Sequence, residues 1–343
     1  MTQTEITEPV SILGETGRPQ NFGWARSPVF TYNPSLLNAA RRKKSESDRY
    51  ILFSPTHAVL LEIFDDGYLG YLCISVIYLK DRKKSFVKTL VTPFSLGAFD
   101  LPYDSNSGSV KFKQKKALVN FACMEEGVRL IKVDIPNFGP RHESIVGQVV
   151  LTPLEGAESL VTHMSWRENA EAFSCSRRSP GYFAEGVIQF GISEFVFTRG
   201  DGWGIFDWCR GVRPRSDLRF WAAASGQTGD HHAGFSVGHC LADSSLGTEN
   251  AFFLDGKIHK LNQISFPASL DRYKPSRFTS SDNRLEMTFT PLYEQEENHQ
   301  MFFYSLKRRQ LFGSFSGKAI LDDGLKFVFN DLKGMLERRK SRF

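Results

Sequence analysis

Along most of the chain, apolar and polar residues alternate over short runs that end at Asp-Gly or at clusters of Gly, Asn and Ser. Alternation of period two marks strands with one buried face, and an Asp-Gly pair between two such runs marks a tight hairpin. Asp66-Gly67, Asp255-Gly256 and Asp323-Gly324 are the clearest turns; residues 251–254 and 257–261 flank the second, residues 312–320 and 325–329 the third. Earlier runs at residues 109–112, 117–124, 128–135 and 145–152 recur at the spacing of a β-sandwich or barrel. The predicted fold is all-β and antiparallel, with few short helices. Helical signals are confined to residues 34–42 and to residues 331–340, where Leu332, Met335 and Leu336 share a helical face and predict a closing C-terminal helix.

A change of character falls in the polar stretch at residues 167–180, which predicts two units, residues 1–172 and 173–343. No short repeat period is present, which disfavours a propeller or solenoid.

Composition adds little that would change this. The chain has 343 residues, 41% of them hydrophobic, with 30 Phe, and can bury a substantial core. A net charge of +5 comes mainly from short runs such as Arg41 to Lys44 and Arg338 to Lys340, without any nucleic-acid-binding pattern, so no nucleic-acid partner is expected. The five cysteines, at 73, 123, 175, 209 and 240, are odd in number and widely spaced, as free thiols in a reducing compartment are. The N-terminus lacks a signal-peptide pattern and the apolar stretch at residues 71–79 is too short to span a bilayer, so the expected location is cytoplasmic with no transmembrane segment.

Candidate chemistry gathers between residues 197 and 250. Trp203, Asp207, Trp208, Arg210, Arg213, Trp221, Glu249 and Asn250 all fall there. In a strand, Trp203, Ile205, Asp207 and Cys209 share one face and Phe206, Trp208 and Arg210 the other. A carboxyl held against indole and aliphatic surface loses solvation and can keep the proton a general acid needs. The same residues also fit a structural ion pair between Asp207 and a nearby Arg. Glu249 and Asn250 point to opposite faces, so one of them meets an interior and needs a partner, for which Arg210 or Arg213 is available. His231 and His239 share a face, but eight extended residues separate them by about 26 Å, too far for one metal. Neither a phosphate cradle nor a nucleophile elbow is present, so neither cofactor nor metal is expected.

The segments Gly23-Trp-Ala-Arg-Ser-Pro28, Asp207-Trp-Cys-Arg-Gly-Val212, Ala224-Ser-Gly226, Thr248-Glu-Asn250, Asp255-Gly-Lys-Ile-His-Lys-Leu261 and Phe278-Thr-Ser-Ser-Asp282 resemble a mainly bacterial domain-of-unknown-function family, the one numbered twenty-eight-zero-four. That family is similar to the two-domain lipocalin-like proteins, among them carotenoid hydratases, tocopherol cyclase and decalin-forming pericyclases. The resemblance implies two lipocalin-like barrel units around an apolar cavity. Asp207 is the position that resembles the hydratase acid, although Trp208 stands where a His is expected after it.

Two functions stay open. In the first, Asp207 as general acid, with Glu249, hydrates, cyclises or isomerises an apolar isoprenoid- or polyketide-like molecule held by Trp203, Trp208, Trp221, Arg210, Arg213 and Asn250, the indoles stabilising a cationic intermediate. In the second, the same residues belong to a non-catalytic carrier or sensor for a lipid-like ligand.

Overall fold

The computed structural model describes residues 3–37, 43–81, 85–95, 99–267, 270–301 and 304–342. The short strands β1 (Val10–Ser11), β2 (Gly23–Ala25) and β3 (Phe30–Thr31) lead into β4 (Lys44–Phe53), β5 (His57–Asp65), β6 (Leu69–Tyr78) and β7 (Phe86–Pro93). Next come β8 (Ser109–Gln114), β9 (Ala117–Cys123), β10 (Arg129–Ile135), β11 (Ile145–Pro153), β12 (Leu160–Trp166), β13 (Asn169–Phe190), β14 (Ser193–Phe197) and β15 (Trp203–Val212). The remainder comprises β16 (Ser216–Thr228), β17 (His231–His239), β18 (Ala251–Leu254), β19 (Lys257–Lys260), β20 (Ile264–Ser265), β21 (Ser276–Ser280), β22 (Leu285–Met301), β23 (Tyr304–Ile320) and β24 (Lys326–Arg342).

Apart from β1 and β3, which pair in parallel as a separate two-stranded sheet, these form two curled antiparallel half-barrel sheets, as the alternation predicts. The first follows the order β7-β6-β5-β4-β15-β13-β11-β10-β9-β8, with β12 and β14 also on β13 and β2 on β12. The second follows β19-β18-β17-β16-β24-β23-β22-β21-β20. Sheets change between Val212 and Ser216, and a division at 172/173 passes through β13.

Three cores result. Tyr50, Leu52, Phe206 and Trp208 belong to the interior of the first sheet. Ala222, Phe235, Phe315 and Leu336 fill the second. Between the sheets lies a seam where Ile51, Phe53 and Ile205 meet Trp221, Ala223, Phe312 and Met335. Consecutive residues of β4 and β15 therefore enter different cores, and β5 is buried at every position, whereas β10 alternates buried and open positions with one face toward solvent.

The Asp-Gly turns form as predicted. At Asp255 and Gly256 both φ values are positive (48° and 78°), the backbone of a tight primed hairpin turn joining β18 to β19.

The predicted C-terminal helix is absent. Residues 331–340 lie in β24, which pairs with β23 on one side and β16 on the other. Leu332 and Leu336 enter the second sheet's core and Met335 the seam. A strand buried on both faces carries apolar residues at spacings that imitate a helical stripe. Gly334 was the available contrary signal: it weakens a helix, and here a Cβ would stand 2.4 Å from the Ala223 carbonyl oxygen. Of the other helical signal, Pro34–Leu36 forms one 3₁₀ turn capped by the Asn33 side chain, and residues 38–42 lie outside the described residues.

Among the described residues no helix is long and apolar enough to cross a membrane. The cysteines are free thiols, with Cys73, Cys175 and Cys240 buried.

Candidate functional site

Register builds the seam. Arg178 of β13 stands opposite Asp207 of β15, Asp207 opposite Arg49 of β4, and Arg49 opposite Glu62 of β5. Four neighbouring strands thus present alternating charge in one row on one face. Directly opposed side chains in a sheet are close enough to pair, and opposite charges there are favourable. On the facing sheet, Trp221 of β16 is followed across the ladder by Glu337, Gln310 and Gln295, and the adjacent row reads Arg219, Arg339, Arg308 and Glu297.

The two faces interlock. Arg49 reaches Glu62 at 2.7 Å on its own sheet and Glu337 at 3.4 Å on the other. Arg308 crosses to Glu62 and also pairs with Glu297. Gln310 donates to Glu337 at 2.7 Å, and Gln295 to Ser75 of β6 at 2.9 Å. Burial alone would raise the pKa of Glu62; Arg308 and Arg49 outweigh it and bring it down to about 2. Burial opposes the charge of Arg49, but Glu337, Glu62 and Asp207 raise its pKa above the ordinary value.

Asp207 sits between two guanidinium groups, Arg178 Nε at 3.4 Å and Arg49 Nη1 at 3.9 Å, and is 7% exposed. The indole and aliphatic surroundings expected around its carboxyl are instead largely cationic. Arg178 also lies 2.8 Å from Glu249, while its Nη1 makes no hydrogen bond. Burial would lift the pKa of Glu249, but Arg178 and Arg219 bring it below the usual carboxylate value. Gly238 leaves room nearby: a Cβ there would crowd the Glu249 carboxylate at 3.0 Å and the Phe220 carbonyl at 3.3 Å. Both Arg49 and Arg178 contact the Trp221 ring, at 5.2 and 5.4 Å from its centre, and the indole N–H donates to Ser236 at 3.0 Å.

A cavity of about 60 Å³ opens among Arg49, Arg178, Asp207, Arg219, Trp221 and Glu337. That is the space of a water or two, or of one functional group. A wider cleft of about 590 Å³, with Leu241 and Asp243 in its wall, shares Trp166 and Pro214 with it.

The predicted cluster is brought together only in part. Asp207 and Trp221 line the cavity and Glu249 joins through Arg178; Arg213 lies on the wall, its guanidinium 3.0 Å from Asp66. Trp208 and Arg210 face the first sheet's interior, where Arg210 pairs with Asp48 at 2.7 Å. Trp203 packs against His232, 4.7 Å between ring centres. Asn250 accepts from the Gly238 N–H at 2.6 Å and donates to the Asn262 carbonyl at 2.9 Å. The acid partners are Arg178 and Arg49 for Asp207 and Arg178 for Glu249, rather than Arg210 or Arg213. Sequence reasoning missed Arg49, Glu62, Arg178, Arg219, Arg308 and Glu337. A usable signal existed for one of them: Glu62 is a single charge set in the apolar run of β5, and a buried charge needs a partner from another strand.

Comparison with known proteins gives a fold and a family. CghA solved with Sch210972 is similar over 87% of this chain and 88% of its own, at a TM-score of 0.55 and 12% identity. CghA alone is similar over 100% and 97%, again at 0.55 and 12%. Kievitone hydratase from Nectria haematococca reaches 0.46 at 9% identity, over 87% and 88%. The likeness to CghA is one of fold, two lipocalin-like antiparallel sheets. No curated protein matches. Residues 3–343 match the family described as Domain of unknown function (DUF2804), and the chain belongs to that family.

Proposed function

We propose that this protein is an enzyme of the hydratase or cyclase type that transfers a proton to a small molecule held between its two sheets. The observation carrying this reading is Asp207, a nearly buried carboxylate opening on a cavity that adjoins a cleft large enough for a ligand's body. The fold shared with CghA, which was solved with Sch210972, supports a ligand held by sheets of this kind.

The charges around Asp207 select the chemistry. Arg49, Arg178 and Arg219 make a carbocation beside Trp221 unfavourable, against the cationic intermediate expected from the indoles. They favour negative charge developing on oxygen. The substrate class is therefore a polyketide-like enone or related carbonyl compound with an apolar body. Its carbonyl oxygen takes up hydrogen bonds from the guanidinium groups, which loosens their hold on Asp207. In hydration, water adds to the β-carbon, the C=C electron pair moves to an enolate held by the arginines, and Asp207 delivers a proton to the α-carbon. The carboxylate regains its proton from the added water, so that H and OH have been added in total. In cyclisation a hydroxyl of the substrate adds to the β-carbon in place of water and gives its proton to the carboxylate; in isomerisation the carboxylate removes a γ-proton to form a dienolate and returns it to the α-carbon.

The test is turnover in D₂O of enone substrates chosen from whatever the purified protein retains. Deuterium should enter the α-carbon, and Asp207→Asn should lower the rate by about 10²-fold or more while the protein stays folded. A ligand that binds without deuterium incorporation by the wild type would leave a carrier and remove the enzyme.

A further inference from the structure

Arg177 and Arg178 are adjacent on β13 and point to opposite faces. Arg178 meets Asp207 and Glu249 in the seam, whereas Arg177, opposite Trp208, enters the first sheet's interior. There it joins Arg129 of β10, which is 3% exposed. The two guanidinium groups lie 4.0 Å (Arg129) and 6.0 Å (Arg177) from the centre of the same Phe206 ring. No carboxylate among the described residues forms an ion pair with either. Arg129 hydrogen-bonds the hydroxyls of Tyr50 and Tyr182, and its Nε has no partner.

Neutral oxygens stand where an anion would be expected. Arg129 donates to the Ser105 carbonyl at 2.5 Å, and Arg177 to that carbonyl at 3.4 Å, to Ser105 Oγ at 3.2 Å and to Asn106 Oδ1 at 2.6 Å. These belong to residues 101–107, a strap without strand pairing; Arg177 Nε also donates to Ser159 Oγ, outside the strap, at 3.1 Å. Farther along it, the Pro102 carbonyl accepts from Arg210. Leu101 is buried in the first sheet's core. The strap's one carboxylate in reach, Asp104, is used in its own turn with Asn106 and Ser107. Burial holds the Arg177 pKa below its ordinary value, while Glu249 and Asp207 overcome burial and raise that of Arg178.

We propose that Arg129 and Arg177 form a binding site for the carboxylate of an amphiphilic organic acid, with the strap as an occupant that such a ligand displaces. The strap already presents both halves of that ligand, an apolar group in the core and oxygens on the guanidinium groups. A carboxylate in their place adds two charge-assisted, fork-shaped contacts that neutral oxygens lack. The site is separate from the seam and does not depend on Asp207.

The experiment is calorimetric titration of the full chain with decanoate and, separately, inorganic phosphate, with hydrogen exchange followed at residues 99–108. Decanoate should bind, quicken exchange in the strap, and bind Arg177→Gln about tenfold or more weakly, with Asp207→Asn unchanged. Asn106→Ala, which removes a competing oxygen from an exposed position, should tighten binding about threefold and tests the site even if Arg177→Gln folds poorly. Phosphate binding with the same loss in Arg177→Gln would support the oxyanion site and assign it to a free ion. Decanoate binding unaffected by both substitutions, binding without a change in the strap, or no binding of either probe would overturn the proposal.

Discussion

Arg177 and Arg178 occupy consecutive positions on one strand and have opposite electrostatic fates. Arg178 lies in a row of alternating charge and is paired with Asp207 of β15 and with Glu249; Arg177 has only neutral acceptors, Ser105 and Asn106 of the strap and Ser159 outside it. Arg178 is buried and Arg177 partly buried, yet burial alone does not distinguish a structural charge from one available to a ligand. The distinction is whether the opposing charge is already built into the fold. Most of the seam's charges are matched within it, although Arg339 on the cavity wall forms no ion pair among the described residues, while the first sheet's interior holds two positive groups without a built-in counter-charge.

The largest effect expected from this contrast is the loss of Arg178. Arg178→Gln strips a guanidinium from both Asp207 and Glu249, leaving buried carboxylates short of partners, and should cost about 3–5 kcal/mol in urea denaturation. A loss below about 1 kcal/mol would mean that the row contributes little to holding the sheets together.

Next in size is the acid response, which separates the two regions by pH. Burial lowers both His163, among Phe22, Phe30 and Phe173, and His232 to a pKa of about 4. Their folded values lie below the unfolded value, so the unfolded chain binds more protons, and stability falls as pH drops from about 6.5 to 4, by on the order of 3 kcal/mol for each. Asp66 opposes this: burial, partly offset by Arg213 and Arg339, raises it to about 6, so its contribution grows on acidification from about 6 to 3.8. Glu62, lowered to about 2, loses its contribution only as pH falls below about 4.5, a limb belonging to the seam. His163→Phe should flatten the upper limb by about one proton and leave the lower one in place, as read from stability against pH.

The smallest effect should be at Arg177. Arg177→Gln orphans no carboxylate and should shift stability by no more than about 1 kcal/mol in either direction, measured beside Arg178→Gln. Equal losses at the two positions would erase the distinction between the regions.

Much of the fold was legible because its signals are local. The alternating runs and the Asp255-Gly256 turn need only their neighbours to be read, and both fold as expected. The C-terminal helix failed because β24 is buried on both faces, so Leu332, Met335 and Leu336 serve different cores while imitating one helical face. The site was less legible for a related reason. Asp207 and Trp221 were found by their types, but their surroundings are set by register: Arg49 lies 158 positions before Asp207 and 288 before Glu337. No spacing along the chain encodes that Arg178, Asp207, Arg49 and Glu62 form one row, and without the row Arg210 and Arg213 were the natural partners to choose.

The account stands most directly on Asp207 as the group that transfers a proton to a bound molecule. Native mass spectrometry, followed by extraction and identification of the bound species, should be applied to the wild type and Asp207→Asn purified from the same host. The account predicts that both retain a small carbonyl compound and that the variant holds the unreacted form, lighter by one water for a hydratase or isomeric for a cyclase. The same molecule in both, or no bound molecule in either, would contradict it.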